Sequence, residues 1–250
     1  NRRYFNALCK NIEFIDLNYR NFFTISIVIG LDVPSKWVDM LSKSSAVLVM
    51  SNDKSLENIP KLLYRLYPIL SEQGDTCFFR DADSYLTKNE MDSMLRFVGS
   101  NYMYHIVRDH PNHLAPIMGG LFGIKSARYK VFKETFFEHI GKYKSWHNKK
   151  SGARGEQLIL ADHIYPIAYK EAFIESNFVI FWNERLLTSK CQIPKLQDLF
   201  MGQIDPEFNP DAERDMRDYK NGSKKIYPPY WMFKLSRYRY LYRLYLGIKN

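Results

Sequence analysis

The stretch Cys77-Phe78-Phe79-Arg80-Asp81-Ala82-Asp83-Ser84 ends a short apolar run in two carboxylates with one residue between them. In an extended backbone, residues two apart point to the same side, so Asp81 and Asp83 are expected to face one spot. Two carboxylates that close repel unless a cation or a proton lies between them. Hard oxygen ligands at a strand end suit Mg²⁺ or Mn²⁺, which keep coordination places for water and phosphate oxygens. The chemistry expected of this stretch is a metal–phosphate site.

Competing readings can be tested on the neighbouring residues. A calcium EF-hand loop starting at Asp81 needs an oxygen ligand at its fifth position and Gly at its sixth. Tyr85 and Leu86 stand there, so that reading fails. Phosphatases of the haloacid-dehalogenase type also carry Asp-x-Asp after an apolar strand, with Thr or Val where this chain has Tyr85. An inert solvated turn is the third alternative, and it stays open at this point.

The elements that must position the carboxylates are legible on either side. Thr76 to Phe79 reads as a buried strand. Thr87 and Glu90 form a capping-box pattern, followed by Met91, Met94, Leu95 and Val98 at helical spacing, with Gly99 as a stop. The carboxyl-end crevice of an open α/β sheet is where ligands bind. Further strands are expected at Phe23 to Gly30, Ala46 to Met50, Tyr104 to Val107 and Met118 to Ile124, with a helix at Pro60 to Leu70. Strands alternating with helices predict a layered α/β sheet, mainly parallel.

Two more polar groupings follow strands. Arg108-Asp109-His110-Pro111-Asn112-His113 could hydrogen-bond sugar hydroxyls or neutralise phosphate, and Asp109 could act as a base; a solvated loop is the alternative. Gly119-Gly120-Leu121-Phe122-Gly123 is too glycine-dense for an ordinary strand and allows either positive φ or close backbone approach to a ligand; a bulge or tight turn without function is the alternative. Its spacing matches neither a Walker loop nor a dinucleotide fingerprint. Gly152 to Gln157 leads into an apolar helix at Leu158 to Ala161, where Glu156 also suits a helix start through the dipole.

The chain of 250 residues carries a formal charge of +9, which points to anionic partners without choosing between nucleotide, nucleic acid and membrane surface. Cys9, Cys77 and Cys191 are far apart and lack metal-ligand spacing, which predicts a reducing compartment and no disulfide framework. No apolar run approaches the length of a membrane span. Asp205 to Tyr219 reads as an acidic linker or surface wrap. From Asn221 onward every charged side chain is basic and interleaved with aromatics, including Lys234, Arg237, Tyr238 and Tyr245. That pattern predicts a basic-aromatic amphipathic helix, packed on its own domain or lying on an anionic membrane.

Taken in order, Tyr64-Arg65-Leu66-Tyr67-Pro68, Phe79-Arg80-Asp81-Ala82-Asp83-Ser84, His105-Ile106-Val107-Arg108-Asp109-His110-Pro111, Ile117-Met118-Gly119-Gly120-Leu121-Phe122-Gly123, Gly155-Glu156-Gln157 and Ile164-Tyr165-Pro166 resemble glycosyltransferases of the GT-A fold. The likeness is to the small nucleotide-sugar-dependent enzymes of large DNA viruses and bacterial polysaccharide clusters, and it covers Phe5 to Asn183. It implies a Rossmann-like, mainly parallel mixed sheet flanked by helices: a catalytic domain over 1–204, and a linker with a helical basic-aromatic extension over 205–250. It implies transfer of a hexosyl or pentosyl group from a UDP-type sugar to a glycan or glycoprotein, with Mn²⁺ or Mg²⁺ held by Asp81 and Asp83. Arg65, Arg80, Gly119, Gly120 and Gln157 would complete the donor site, and His110 and His113 the acceptor side. Asp109 and Glu156 are the catalytic candidates; relatives often carry Asp where Glu156 stands and Trp where Phe122 stands. The family usually opens with a strand that contacts the nucleotide base, whereas little precedes Arg2-Arg3-Tyr4-Phe5 here.

The expected setting is cytoplasmic, a host cytoplasm if the chain is viral, with membrane-surface contact through the tail and no specific nucleic acid. The alternatives are a metal-dependent phosphatase or nucleotidyltransferase, and a non-catalytic module binding nucleic acid or membrane through the basic tail.

Overall fold

The computed structural model describes residues 2–30, 33–44, 47–51, 61–70, 72, 74–144, 154–184, 199–204 and 206–229. Cys191 and residues 230–250, where most of the basic-aromatic helix is expected, lie outside them.

The first described element is a helix, α1 (Arg2–Asn18), which no motif announced. Ala7, Asn11, Ile12 and Ile15 are buried along it, the three-to-four spacing of an inward face. β1 (Ile25–Ile29) follows, then α2 (Ser35–Leu41) and β2 (Val47–Ser51), which pairs with β1 in parallel. Ile12 of α1, Ile29 of β1 and Leu41 of α2 share one apolar cluster. The segment 61–70, expected as one helix, divides into a 3₁₀ turn (Lys61–Leu66) and α3 (Tyr67–Leu70). Pro68 has no N–H to offer Tyr64, so an unbroken α-helix through it is disfavoured.

β3 (Thr76–Arg80) leads through α4 (Lys88–Val98) to β4 (Tyr104–Arg108), and the loop 109–120 returns to β5 (Leu121–Lys125). α5 (Tyr129–Lys144) and α6 (Arg154–Ile159) come next, followed by a π-helical turn (Leu160–Ile164), α7 (Tyr165–Ala168) and β6 (Ala172–Ser176). The four strands are ordered β3-β5-β4-β6. The fold is α/β, with a mixed rather than mainly parallel sheet: β5 is antiparallel to both β3 and β4, and only β4–β6 is a parallel ladder. A loop without a crossover helix can deliver only an antiparallel partner beside β4, which is why β5 departs from the expected direction.

Thr87 caps α4 by accepting the Glu90 N–H at 3.2 Å. The reciprocal half of the expected capping box is missing, because the Glu90 carboxylate turns to Arg80 on β3 (2.5 Å). Met91, Met94 and Phe97 form the buried stripe of α4, while Val98 is exposed. Beneath the sheet, Phe79 stacks on Phe122 with ring centroids 4.5 Å apart, and Phe132 and Phe136 of α5 continue the row.

Beyond 205 the described chain stays on this core. α8 (Ala212–Asn221) buries Tyr219, and β8 (Lys225–Tyr227) pairs in parallel with β7 (Val179–Phe181). Tyr219 and Tyr227 belong to the same cluster as Phe79 and Phe122. Among the described residues, no helix is long and apolar enough to cross a membrane.

Candidate functional site

β3 ends at Arg80, and the chain then turns. The Ser84 N–H and hydroxyl both donate to the Asp81 carbonyl, at 3.3 and 2.9 Å. Asp81 and Asp83 therefore do not stand on extended backbone, and their carboxylates go to different arginines. Asp81 meets the Arg65 guanidinium at 2.7 Å. Asp83 meets Arg3 of α1. Their exposure differs as sharply: the Asp81 side chain is 50% exposed and that of Asp83 is 9%.

Three distant segments meet at Asp81. A Cβ added at Gly120 would lie 2.2 Å from Asp81 Oδ2, so this glycine is required by close approach and not by backbone angle. A Cβ at Gly119 would lie 2.9 Å from Glu156 Oε1 and 3.0 Å from the Gln157 amide. Glu156 also faces Arg65, whose Nε is 3.7 Å from Oε1, so one guanidinium serves both Asp81 and Glu156. The Gln157 amide braces the glycine turn: its nitrogen donates to the Ile117 carbonyl (2.8 Å) and its oxygen accepts from Gly119 N–H (2.7 Å). Burial pushes the Glu156 carboxyl up to about 7; Arg65 works against this and Asp81 with it. Its Oε1 is buried without a hydrogen bond.

The remaining expected site residues are placed elsewhere. Arg80 donates to the Tyr85 carbonyl (2.7 Å) and pairs with Glu90. Asp109 is buried at the end of β4, where it accepts from Asn177 Nδ2 (2.7 Å) and Met201 N–H (3.1 Å). His110 uses both ring nitrogens internally: Nε2 donates to the Asp215 carbonyl (2.9 Å) and Nδ1 accepts from Asn112 N–H (3.1 Å). His113 packs beside it, and burial holds its pKa down at about 3. No hydrogen bond or ion pair among the described residues joins His110 or His113 to the Asp81 cluster. Arg108, expected near phosphate, is enclosed and bound to Glu184 at 2.5 Å.

Desolvation raises Asp109 from its ordinary 3.8 to about 7, against the pull of its two N–H donors. A raised carboxyl stabilises the fold fully below its ordinary pKa, and that contribution is lost as pH rises through about 7. Asp109→Asn removes this titration. The variant's stability relative to wild type should therefore climb by up to roughly 4 kcal/mol between about pH 4 and about pH 8, read by urea unfolding. A pH-independent difference would show that Asp109 titrates normally.

Sequence reasoning missed Arg3 and Asn11. Asn11 Nδ2 donates to the Ser84 carbonyl (2.9 Å), and its Oδ1 accepts the Leu86 N–H (2.8 Å). The available signal was an amide inside an otherwise apolar helical stripe. Ser93, His105 and Glu175 form a hydrogen-bonded set with Arg96, but Ser93 has no exposure and the set braces α4 against β4 and β6. A groove of about 560 Å³ runs along α8, lined by Gln203, Met216, Arg217 and Lys220. It lacks converging buried carboxylates, so the Asp81 cluster is the stronger candidate.

Among the described residues no group of three or more His, Cys, Asp or Glu side chains is arranged to hold a metal. Mg²⁺ and Mn²⁺ need less, since one carboxylate with phosphate oxygens and waters suffices. Asp81 fits that role, its side chain being half exposed. Asp83, buried against Arg3, does not fit as a second ligand. No protein-family model, curated protein or solved structure matches the chain.

Proposed function

We propose that this chain is a metal-dependent glycosyltransferase of GT-A type, moving a sugar from a nucleotide sugar, with UDP as the first nucleotide to test, to a glycan or glycoprotein. The observation that carries the reading is the meeting of Asp81, Gly119-Gly120 and Glu156-Gln157 around Arg65. These are the segments whose order resembles that family, and their chemistry suits the reaction. In the transfer, the bond from the sugar's anomeric carbon to the diphosphate oxygen breaks, and a bond to the acceptor oxygen forms as the acceptor loses its proton. Negative charge builds on the leaving diphosphate. A bound divalent cation, which Asp81 would hold, supplies Lewis-acid stabilisation of that charge.

The chain's own groups supply the rest. Arg65 is a planar donor suited to phosphate oxygens. Gly119 and Gly120 let Glu156, Gln157 and Asp81 close against the turn where any Cβ would intrude, which keeps the two carboxylates together beside Arg65. Glu156 is the carboxylate of this cluster able to take an acceptor proton, with a pKa near the working range of a general base. Asp109 holds Asn177 and the Met201 backbone instead. The basic-aromatic segment 221–250 would bring the enzyme to an anionic surface carrying its acceptor.

The test is product analysis. Incubation with a panel of nucleotide sugars, Mn²⁺ and glycan acceptors should release nucleoside diphosphate, faster with the right acceptor. Release of inorganic phosphate without any acceptor dependence would favour the phosphatase reading instead.

A further inference from the structure

We infer that Asp83 is a tether and not a metal ligand: through it and Asn11, helix α1 clamps the turn that presents Asp81. Three side chains of one helix reach this turn. Arg3 takes the Asp83 carboxylate, Lys10 donates to the Tyr85 hydroxyl (2.6 Å), and Asn11 pairs with the backbone of both Ser84 and Leu86. Asn11 is itself buried, so its amide is committed to these bonds. From the other side the chain segment 199–204 closes the turn: Ser84 bridges Ile204, and the Tyr85 N–H donates to the Gln203 carbonyl (3.0 Å). A carboxylate inside this frame, 9% exposed and facing a guanidinium, neutralises α1 rather than a ligand. Asp81, two residues before Asp83 and outside the frame, is the acid left at the surface. Asp83 and Asn11 thus hold the turn itself to α1 and are no part of the ligand site.

The ligand part of this inference rests on the proposed donor site; the clamp does not. Asp81→Asn, Asp83→Asn, Arg3→Gln and the double variant Asp83→Asn/Arg3→Gln are compared in the full chain. Unfolding is followed by heat, and Mn²⁺ plus UDP binding by calorimetry. Asp83→Asn keeps an acceptor for Arg3, so it should retain Mn²⁺–UDP affinity within about threefold, whereas Asp81→Asn should lose at least about thirtyfold. Asp83→Asn and Arg3→Gln should each lower Tm, with the double variant little worse than the poorer single. Loss of Mn²⁺–UDP binding in Asp83→Asn as complete as in Asp81→Asn, at wild-type Tm, would overturn the inference. Additive Tm losses would overturn it too.

Should Asp83→Asn fail to fold, Arg3→Gln still decides. A ligand freed from its arginine would bind Mn²⁺ more tightly than wild type, whereas a released tether binds it no better. A folded wild type that binds no nucleotide would sink the donor site, while the Tm cycle still judges the clamp.

Discussion

Gly120→Ala is expected to lower transfer and donor affinity by about a hundredfold or more while the chain stays folded. The added methyl would lie 2.2 Å from Asp81 Oδ2, 2.7 Å from its Cγ and 3.1 Å from its backbone nitrogen. Swinging the Asp81 carboxylate away relieves the first two contacts but breaks its pairing with Arg65, and the third involves backbone that cannot swing. Neighbouring glycines provide the contrast. At Gly119 the intruding atoms are the ends of Glu156 and Gln157, which can yield, so alanine there should cost less. At Gly123 the methyl would strike the Phe78 ring at 2.6 Å, inside the β3–β5 packing, so alanine there should cost stability. Calorimetry with Mn²⁺ and UDP, beside thermal unfolding of the three variants, checks the ranking. Wild-type affinity in Gly120→Ala would show that Asp81 does not serve the donor from this position.

Glu184→Ala is expected to lower the unfolding free energy by about 3–5 kcal/mol, the largest stability effect foreseen for a single side chain here. Arg108 and Glu184 are both completely buried. The Glu184 carboxylate also accepts from the Tyr165 hydroxyl (2.7 Å) and the Phe181 N–H (3.0 Å), and Arg108 donates to the Pro116 carbonyl (2.9 Å). Removing the carboxylate leaves a guanidinium charge in the interior with no counter-ion. Asp92→Asn, which breaks the exposed i,i+4 pair with Lys88, should cost no more than about 0.5 kcal/mol. Urea unfolding of both variants tests the comparison, and similar losses would contradict the burial of Arg108. Because Pro116 lies just ahead of the glycine turn, this ion pair also anchors the loop that carries Gly119 and Gly120.

What could be read in the sequence was local. The apolar run into Asp81, the Thr87 cap and the density of glycine at 119–123 each depend on neighbours within a few residues, and each lies where its pattern put it. Thr87 also shows the limit: its own bond to Glu90 N–H formed, but the Glu90 side chain went to a strand arginine that the capping pattern knows nothing about. Asp-x-Asp implied a shared face only while the backbone stayed extended. A turn closed by Ser84 removed that premise and let Asp81 and Asp83 take different arginines.

The missed features are long-range pairings. Nothing near Arg3 announces residue 83, nothing near Arg108 announces Glu184, and strand direction at β5 depends on how the loop 109–120 returns. The π-helical turn after the Glu156-Gln157 helix is another tertiary choice, since Leu160 to Ile164 carries no proline or glycine to mark it.

The most direct measurement is a calorimetric titration of UDP and a set of UDP-sugars, with and without Mn²⁺, into wild type and Asp81→Asn. The expected result is binding that requires Mn²⁺ in the wild type, a preference among the sugars, and loss of that binding in Asp81→Asn at unchanged fold. Equal binding by both proteins, or none by a folded wild type, would contradict a nucleotide-sugar site at Asp81.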